Sequence, residues 1–264
     1  MTAAPARQDD PTPTFTSSEW YDRSIDWAAR NAREIPVLID VFGPPGRGGI
    51  LDAGCGTGHQ ASALAQKGYR VVGADVSDEM LGVARRHARA IGADVKFICA
   101  PYASFRQTLD GGFDGIYCLA NSFAAAGTRD AVAQALQQFA ACLRPGGRLF
   151  IQILNFAPMR KELPCIRGPR VTNVDGCEYV SLRQFHFVED RCQVSNITIW
   201  RQGGWRYHAQ SRILYPIGRD ELHASCRACG LQIDHEWGSY AREPFDIDRS
   251  TDLILAATRV SAPV

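Results

Sequence analysis

Almost no net charge remains once this chain's ionisable side chains are counted. Twenty-nine lysines and arginines face 28 aspartates and glutamates, a formal charge of +1 at pH 7. That balance removes the electrostatic reason to expect nucleic acid or an anionic membrane as partner, and it favours a small-molecule substrate. Long apolar runs are missing too. None approaches the roughly 18 residues of a bilayer span. The opening stretch MTAAPARQDDPTPT is polar and proline-rich, without the apolar core of a secretion signal. Residues 1–18 read as a disordered leader, and a cytoplasmic location follows by default. The nine cysteines are odd in number and scattered, which excludes a disulfide framework and fits reduced thiols. Nor is there a catalytic triad, a metal cluster or a carboxylate dyad. His223, Cys226 and Cys229 recur every three residues along a helix, but no second paired-cysteine motif completes a metal site, so they read as packing and no metal is expected.

What is present is a core. Of the 264 residues, 45% are hydrophobic, ordinary for a chain with a substantial interior. Residues 19–42 have helical periodicity, with Pro36 as a break or kink. From Ile50 onward short apolar strands alternate with amphipathic helices: ILDA, HQASALAQKGY, RVVGAD, SDEMLGVARRHARAIG, VKFICA, FDGIYCLA, TRDAVAQALQQFAACL and, after RPGG, RLFIQIL. This order predicts an α/β fold, a doubly wound and mainly parallel sheet with helices on both faces. Between 178 and 215 the rhythm changes to three segments of two-residue alternation, with Gly203-Gly204 as one hairpin turn. They predict an antiparallel meander inserted over 156–215. The core is then 19–155 and 216–260, the latter holding one helix and two strands near 231–237 and 252–258.

The stretch LDAGCGTG (51–58) stands where the first strand meets the first helix of this pattern. Glycine there permits positive φ and lets a ligand lie against bare backbone. The helix N-terminus adds unpaired N–H groups, and the carboxyl edge of a parallel sheet is where such folds bind ligands. Asp75, closing the next strand, is placed to accept two hydrogen bonds from a ribose diol. The spacing is G-x-G-x-G, unlike the G-x-G-x-x-G of dinucleotide sites, which argues against a nicotinamide enzyme.

Asp52 with Gly54, Gly56 and Gly58 resembles motif I of the class I S-adenosylmethionine-dependent methyltransferases. VVGADVSDEML resembles their second motif, and LRPGGRLFIQ the turn into their fifth strand. IYCLANSF, IQILNF and WRQGGWRYHAQSRILYPI are similar to the small-molecule branch that includes glycine/sarcosine and aminosugar N-methyltransferases. The resemblance implies S-adenosyl-L-methionine as cofactor, S-adenosyl-L-homocysteine as product, and a Rossmann-like core whose inserted antiparallel cap closes the active site. It implies cofactor contacts from Asp52, Ala53, the three glycines, Asp75, Val76, Met80, Pro101, Tyr102, Leu119 and Asn121. Tyr21 or Arg30 would meet the cofactor carboxylate. The family's acidic residue after the third strand is replaced by Ala100-Pro101-Tyr102, so adenine is held by packing or by a group from elsewhere.

Methyl transfer from a sulfonium asks chiefly for orientation and water exclusion, which accounts for the missing acid–base constellation. Asn121 and Asn155 follow the fourth and fifth strands at the functional edge; Asn155 equally suits an ordinary turn. In the meander, Arg183, His186, Arg212 and Tyr215 are the candidate substrate contacts, with Asn121, Asn155, His186 and Tyr215 as candidate catalytic groups. Each has a bland reading beside it: a solvated strand histidine, surface arginines, a packed tyrosine. His208 shares a strand face with Arg212. The expected activity is methylation of a small molecule, at an amine nitrogen first, with oxygen or carbon of a natural-product scaffold as the alternative. No NPPY-like tetrad for nucleic-acid amines is present. A non-catalytic S-adenosylmethionine-binding protein is the other class of reading, and a homodimer is left open.

Overall fold

The computed structural model describes residues 17–46, 48–162, 164–174, 176–201 and 204–260. The leader expected over 1–18 therefore lies outside the described residues except for its last two, and so does Gly203 of the expected hairpin turn.

The periodic stretch before residue 43 is two helices, α1 (Ser17–Arg23) and α2 (Trp27–Phe42). The break comes before Trp27, where the Asp26 carboxylate accepts the Ala29 N–H at 3.0 Å and caps a new helix. Pro36 sits inside α2 without ending it. A proline in a helix interior costs about 3 kcal/mol. Ile35, Val37, Leu38 and Val41 are all buried around it, and at about 1.5–3 kcal/mol each they outweigh that loss.

Strand and helix then alternate as β1 (Ile50–Ala53), α3 (His59–Ala65), β2 (Val71–Asp75), α4 (Asp78–Ala90), β3 (Val95–Cys99), α5 (Phe105–Thr108), β4 (Phe113–Cys118), α6 (Arg129–Cys142), β5 (Leu143–Leu154) and α7 (Phe156–Lys161). Four strands without intervening helices follow: β6 (Cys165–Val174), β7 (Cys177–Val188), β8 (Arg191–Arg201) and β9 (Trp205–Leu214). The chain closes with α8 (Arg219–Ala228), β10 (Leu231–Trp237) and β11 (Asp252–Arg259).

One sheet has seven strands in the order β10-β11-β5-β4-β1-β2-β3. The five strands from β5 to β3 run parallel, while β11 is antiparallel to β5 and β10 to β11. Its central strands β1, β4, β11 and the second half of β5 are buried on both faces, as their continuous apolar runs require. Tyr117 and Phe150 pack on one side with Leu38 of α2 and Leu64 of α3. Ile116, Leu149 and Ile151 pack on the other with Leu136 and Phe139 of α6. Strand order reverses between β1 and β4, so the open crevice of the sheet lies beyond their carboxyl ends.

β6, β7, β8 and β9 form a second, fully antiparallel sheet in chain order. It has one strand more than the alternation predicts. β6 escapes the pattern because Gly168-Pro169 interrupts its alternation, and the β6–β7 register shifts between Arg167 and Arg170 to absorb them. Proline is tolerated because β6 is an edge strand. Cys165, Phe185, Cys192, Val194 and Leu214 belong to the main core and anchor one end of this sheet. At the other end Tyr179 and Trp200 form a small cluster, and Trp20 of α1 packs on Tyr179 with ring centroids 4.3 Å apart.

Candidate active site

Between the carboxyl ends of β1, β2 and β4 and the inner face of the small sheet lies a cavity of about 950 Å³, flanked by α1 and the first turn of α2. That is the upper end of the range for small-molecule sites, with room for more than one ligand.

The three glycines of the turn after β1 all have positive φ, yet each answers a different demand. At Gly54 (φ +81°) an added Cβ would stand 2.5 Å from the Tyr102 hydroxyl and 2.7 Å from Ser122 Cβ. At Gly58 (φ +74°) it would meet the Phe97 ring at 2.8 Å and Ala84 Cβ at 2.9 Å, so this glycine serves helix–sheet packing. At Gly56 (φ +53°) nothing lies within 4 Å. Gly56 lines the cavity, and the space a side chain would fill is open for a ligand.

Asp75 fixes this turn. Its Oδ2 accepts the Gly56 N–H at 2.8 Å and its Oδ1 the Ser77 N–H at 2.9 Å. A carboxylate has about four acceptor sites; these two bonds leave two unused, and Asp75 lines the cavity. Ser77 also N-caps α4 through the Met80 N–H, and it aims that helix's positive end at the same place.

Deeper in, Asp52 is only 3% exposed. Burial pushes its carboxyl up to about 8, and neighbouring Asp75 and Glu34 push the same way, while Tyr117 and Arg30 pull against them. Arg30 is held by Glu34, with Nε to Oε1 at 2.9 Å, and Gln60 Nε2 donates to the other oxygen of Glu34 at 2.9 Å. Glu34 is thus a buried hub, joined also by Arg33 at 3.1 Å. Glu34→Ala strands the Arg30 cation and the Gln60 amide and should destabilise the fold by about 3–5 kcal/mol, read as a shifted urea midpoint. A midpoint within error of wild type would show that the hub is not needed for folding.

At the end of β4 two non-glycine residues have positive φ, Ala120 (+57°) and Asn121 (+62°). The conformation is held from behind. Ala120 N–H donates to Gln152 Oε1 at 2.7 Å, and Asn121 Oδ1 accepts the Leu154 N–H at 2.6 Å. The strained turn sends Leu119, Ala120 and Ser122 to the cavity wall. After β3, Pro101 and Tyr102 reach the wall, and Val76 and Met80 border it from β2 and α4. The Tyr102 ring stands edge-on against Phe105 and Phe139, so it is rigid.

α1 is tied down over the cavity. His59 Nε2 meets Asp22 Oδ1 at 2.7 Å, and Trp27 stacks on the His59 ring with centroids 4.1 Å apart. Tyr21 and Arg30 both line the cavity below it.

Several expected site residues are elsewhere. Asn121 turns its amide into the β5 backbone, where Oδ1 accepts the Leu154 N–H. Ala53 is fully buried under the turn. Asn155 caps α7 through the Ala157 N–H and donates to Ile247 and Ser250 carbonyls, which occupies its whole amide. Tyr215 is buried away from the cavity and donates to Glu221 at 2.8 Å. Burial pushes its hydroxyl up to about 12. His186 is exposed on the outer face opposite Gln193, because Phe185 and Phe187 take the inner face and strand parity turns their neighbour out. Arg183 and Arg212 do line the cavity, joined by His208 and Asn196. Glu34 and Gln60 went unnoticed in the sequence, although Glu34 stands four residues from Arg30 on one helix, a spacing that signals an ion pair.

This strand order, with the last strand antiparallel and the glycine turn after β1, defines the class I S-adenosylmethionine-dependent methyltransferase fold. Residues 50–147 match the family model described as a methyltransferase domain. It is similar to the glycine/sarcosine N-methyltransferase of Parasynechococcus marenigrum, at 32% identity over 52% of this chain and 48% of that protein. It is also similar to the ubiquinone biosynthesis O-methyltransferase of Xanthomonas axonopodis pv. citri, at 26% identity over 80% of this chain and 85% of that one. The match spans about half the length of the glycine/sarcosine relatives. Among solved structures, the CcbJ methyltransferase of Streptomyces caelestis shares the fold with a TM-score of 0.76, at 21% identity over 92% of this chain and 96% of that one.

Proposed function

We propose that this protein transfers a methyl group from S-adenosylmethionine to an amine nitrogen of a small molecule, with residues 156–215 as the cap over the reaction. The observation that carries the reading is the open side of Gly56 beside the two unused acceptor sites of Asp75. The residues present fit the cofactor. Asp75 receives the ribose hydroxyls, and Gly56 leaves room for the chain between ribose and sulfur. Arg30 and Tyr21 take the carboxylate, and Asp52 takes the ammonium. Val76, Met80, Pro101, Tyr102 and Leu119 pack the adenine ring, with no acid after β3 to read its amino group.

When bound, S-adenosylmethionine supplies a sulfonium-borne methyl already activated toward displacement by a lone pair. The chain's own task is to bind, orient and exclude water. α1 and the inner face of the small sheet stand over the cavity and narrow its access to solvent. A neutral amine needs no strong base, in keeping with the cavity wall, where His208 is the one histidine among the described residues. That same His208 supports a second reading, O-methylation, in which it accepts a hydroxyl proton. Product formation against matched amine and phenol panels separates the two. Turnover of phenols alone would overturn the amine assignment.

The buried acid gives this reading a pH signature. With its carboxyl near 8 in the free protein, Asp52 must lose a proton to meet an ammonium. Affinity for S-adenosylhomocysteine should therefore rise from about pH 6 to about pH 8 and level off above, with proton release on binding at pH 7. Calorimetry in buffers of different ionisation heat measures both. Flat affinity without proton release would show that Asp52 does not meet the ammonium.

A further inference from the structure

The near-neutral chain segregates its charge inside the cavity. The floor contributed by β1, β2 and α4 presents Asp52, Asp75 and Glu79, and Arg30 beside it is matched by Glu34. The roof is the inner face of β6–β9, and strand parity identifies it. Phe185 and Val194 are buried on that face and pair with each other. In step with them, Arg183 pairs with Asn196, Asn196 with Gln210, and Val194 with Arg212. Across the first ladder Arg167 stands directly opposite Arg183. Arg167, Arg170, Arg183 and Arg212 all line the cavity. Among the described residues of the four strands, no Asp or Glu shares this inner face.

Such an arrangement is unfavourable by itself, since like charges directly opposed on a sheet repel. Arg167 has Glu162 at 3.2 Å for relief. Arg183 has a neutral partner, Asn196 Oδ1, which its Nε reaches at 2.9 Å. No carboxylate pairs with Arg170, Arg183 or Arg212 among the described residues. Arg183 keeps an exposed side chain at the cavity mouth, and partial desolvation there, with the nearby Arg212 and Arg30, holds its guanidinium below the ordinary range. Guanidiniums without counter-charge, facing the place reserved for a cationic methyl donor, leave the cavity short of negative charge. A bidentate fork of this kind matches carboxylate and phosphate oxygens.

We propose that the methyl-accepting substrate is an anion, an amine that carries a carboxylate or phosphate group held against the roof by Arg183 and Arg212. The proposal rests on the methyltransferase reading above and deepens it. It divides the cavity by charge: the cationic cofactor lies on the acidic floor, and the anionic end of the acceptor is drawn to the basic roof. The acceptor nitrogen is thereby turned toward the floor, where the methyl group waits. The same arginines disfavour the ammonium form of the acceptor, which helps to present a neutral amine without a dedicated base.

The test is a calorimetric titration with inorganic phosphate, acetate and neutral glycerol, run on the free protein and on the protein saturated with S-adenosylhomocysteine. Wild type should bind at least one of the two anions and not glycerol, and the tighter anion names the group. Arg183→Gln and Arg212→Gln should each weaken that binding about 10- to 100-fold. S-adenosylhomocysteine affinity should stay within about threefold, and thermal melts of each variant verify folding. A wild-type protein that binds S-adenosylhomocysteine but neither anion overturns the proposal, and so does anion binding that survives in a folded double variant. Absence of S-adenosylhomocysteine binding would instead overturn the cofactor reading, while the free-protein titration still judges the roof.

Discussion

Gly56→Val is expected to give a folded protein whose affinity for S-adenosylhomocysteine falls at least about a hundredfold. Gly58→Val should fail in the opposite order. At Gly56 the added Cβ meets nothing within 4 Å, so the protein itself bears only the strain of a side chain at φ +53°. For an L residue that strain is about 1–2 kcal/mol, somewhat more when β-branched. A domain stable by about 5–15 kcal/mol survives it. The side chain then occupies the space that bare backbone keeps for the ligand. At Gly58 the same atoms would enter the Phe97 ring and Ala84 Cβ below 3 Å. Overpacking of that kind costs about 1–3 kcal/mol on top of the same strain, and it acts on the packing of the α3 N-terminus against α4 and β3, not on the ligand. Thermal melts and calorimetry run side by side on both variants separate the effects. Wild-type binding by Gly56→Val would mean that the turn does not face the cofactor.

Asp75→Ala should weaken cofactor binding strongly as well. Each ribose hydroxyl loses a charged acceptor worth about 1.5–3 kcal/mol. The variant also releases the Gly56 and Ser77 N–H groups that set the turn. Asp75→Asn separates these contributions, because the amide keeps one acceptor oxygen and gives up the charge. The expected order of affinity is wild type, then Asn, then Ala. Equal affinities for all three in folded protein would remove the ribose assignment while leaving the fold intact.

The places where sequence reading succeeded and failed follow the range of the interactions. Strand and helix from Ile50 to Leu154 were legible because apolar periodicity acts within a few residues, as do caps of the kind that Ser77 supplies to α4. The short helices after β3 and β5 were not, because propensity over four to six residues is a weak signal. Asn121, Asn155 and Tyr215 sat at sound positions in the chain, yet their side chains were claimed by Leu154, by the carbonyls of Ile247 and Ser250, and by Glu221. Such partners come into reach only when separate segments meet. His186 is the reverse case: parity with the buried Phe185 already turned it away from the cavity.

By itself the sequence determined the α/β order, the glycine turn after β1, the acid that closes β2 and the antiparallel character of the inserted strands. All of these are local, set by backbone stereochemistry and by the spacing of apolar residues. Only the tertiary structure decided how charge is distributed. A chain of net charge +1 became a cavity with acids on one wall and arginines on the other, because the docking of one sheet over another chooses which strand face meets which edge. Coulomb energy depends on distances through space, and those distances do not exist until the chain has folded.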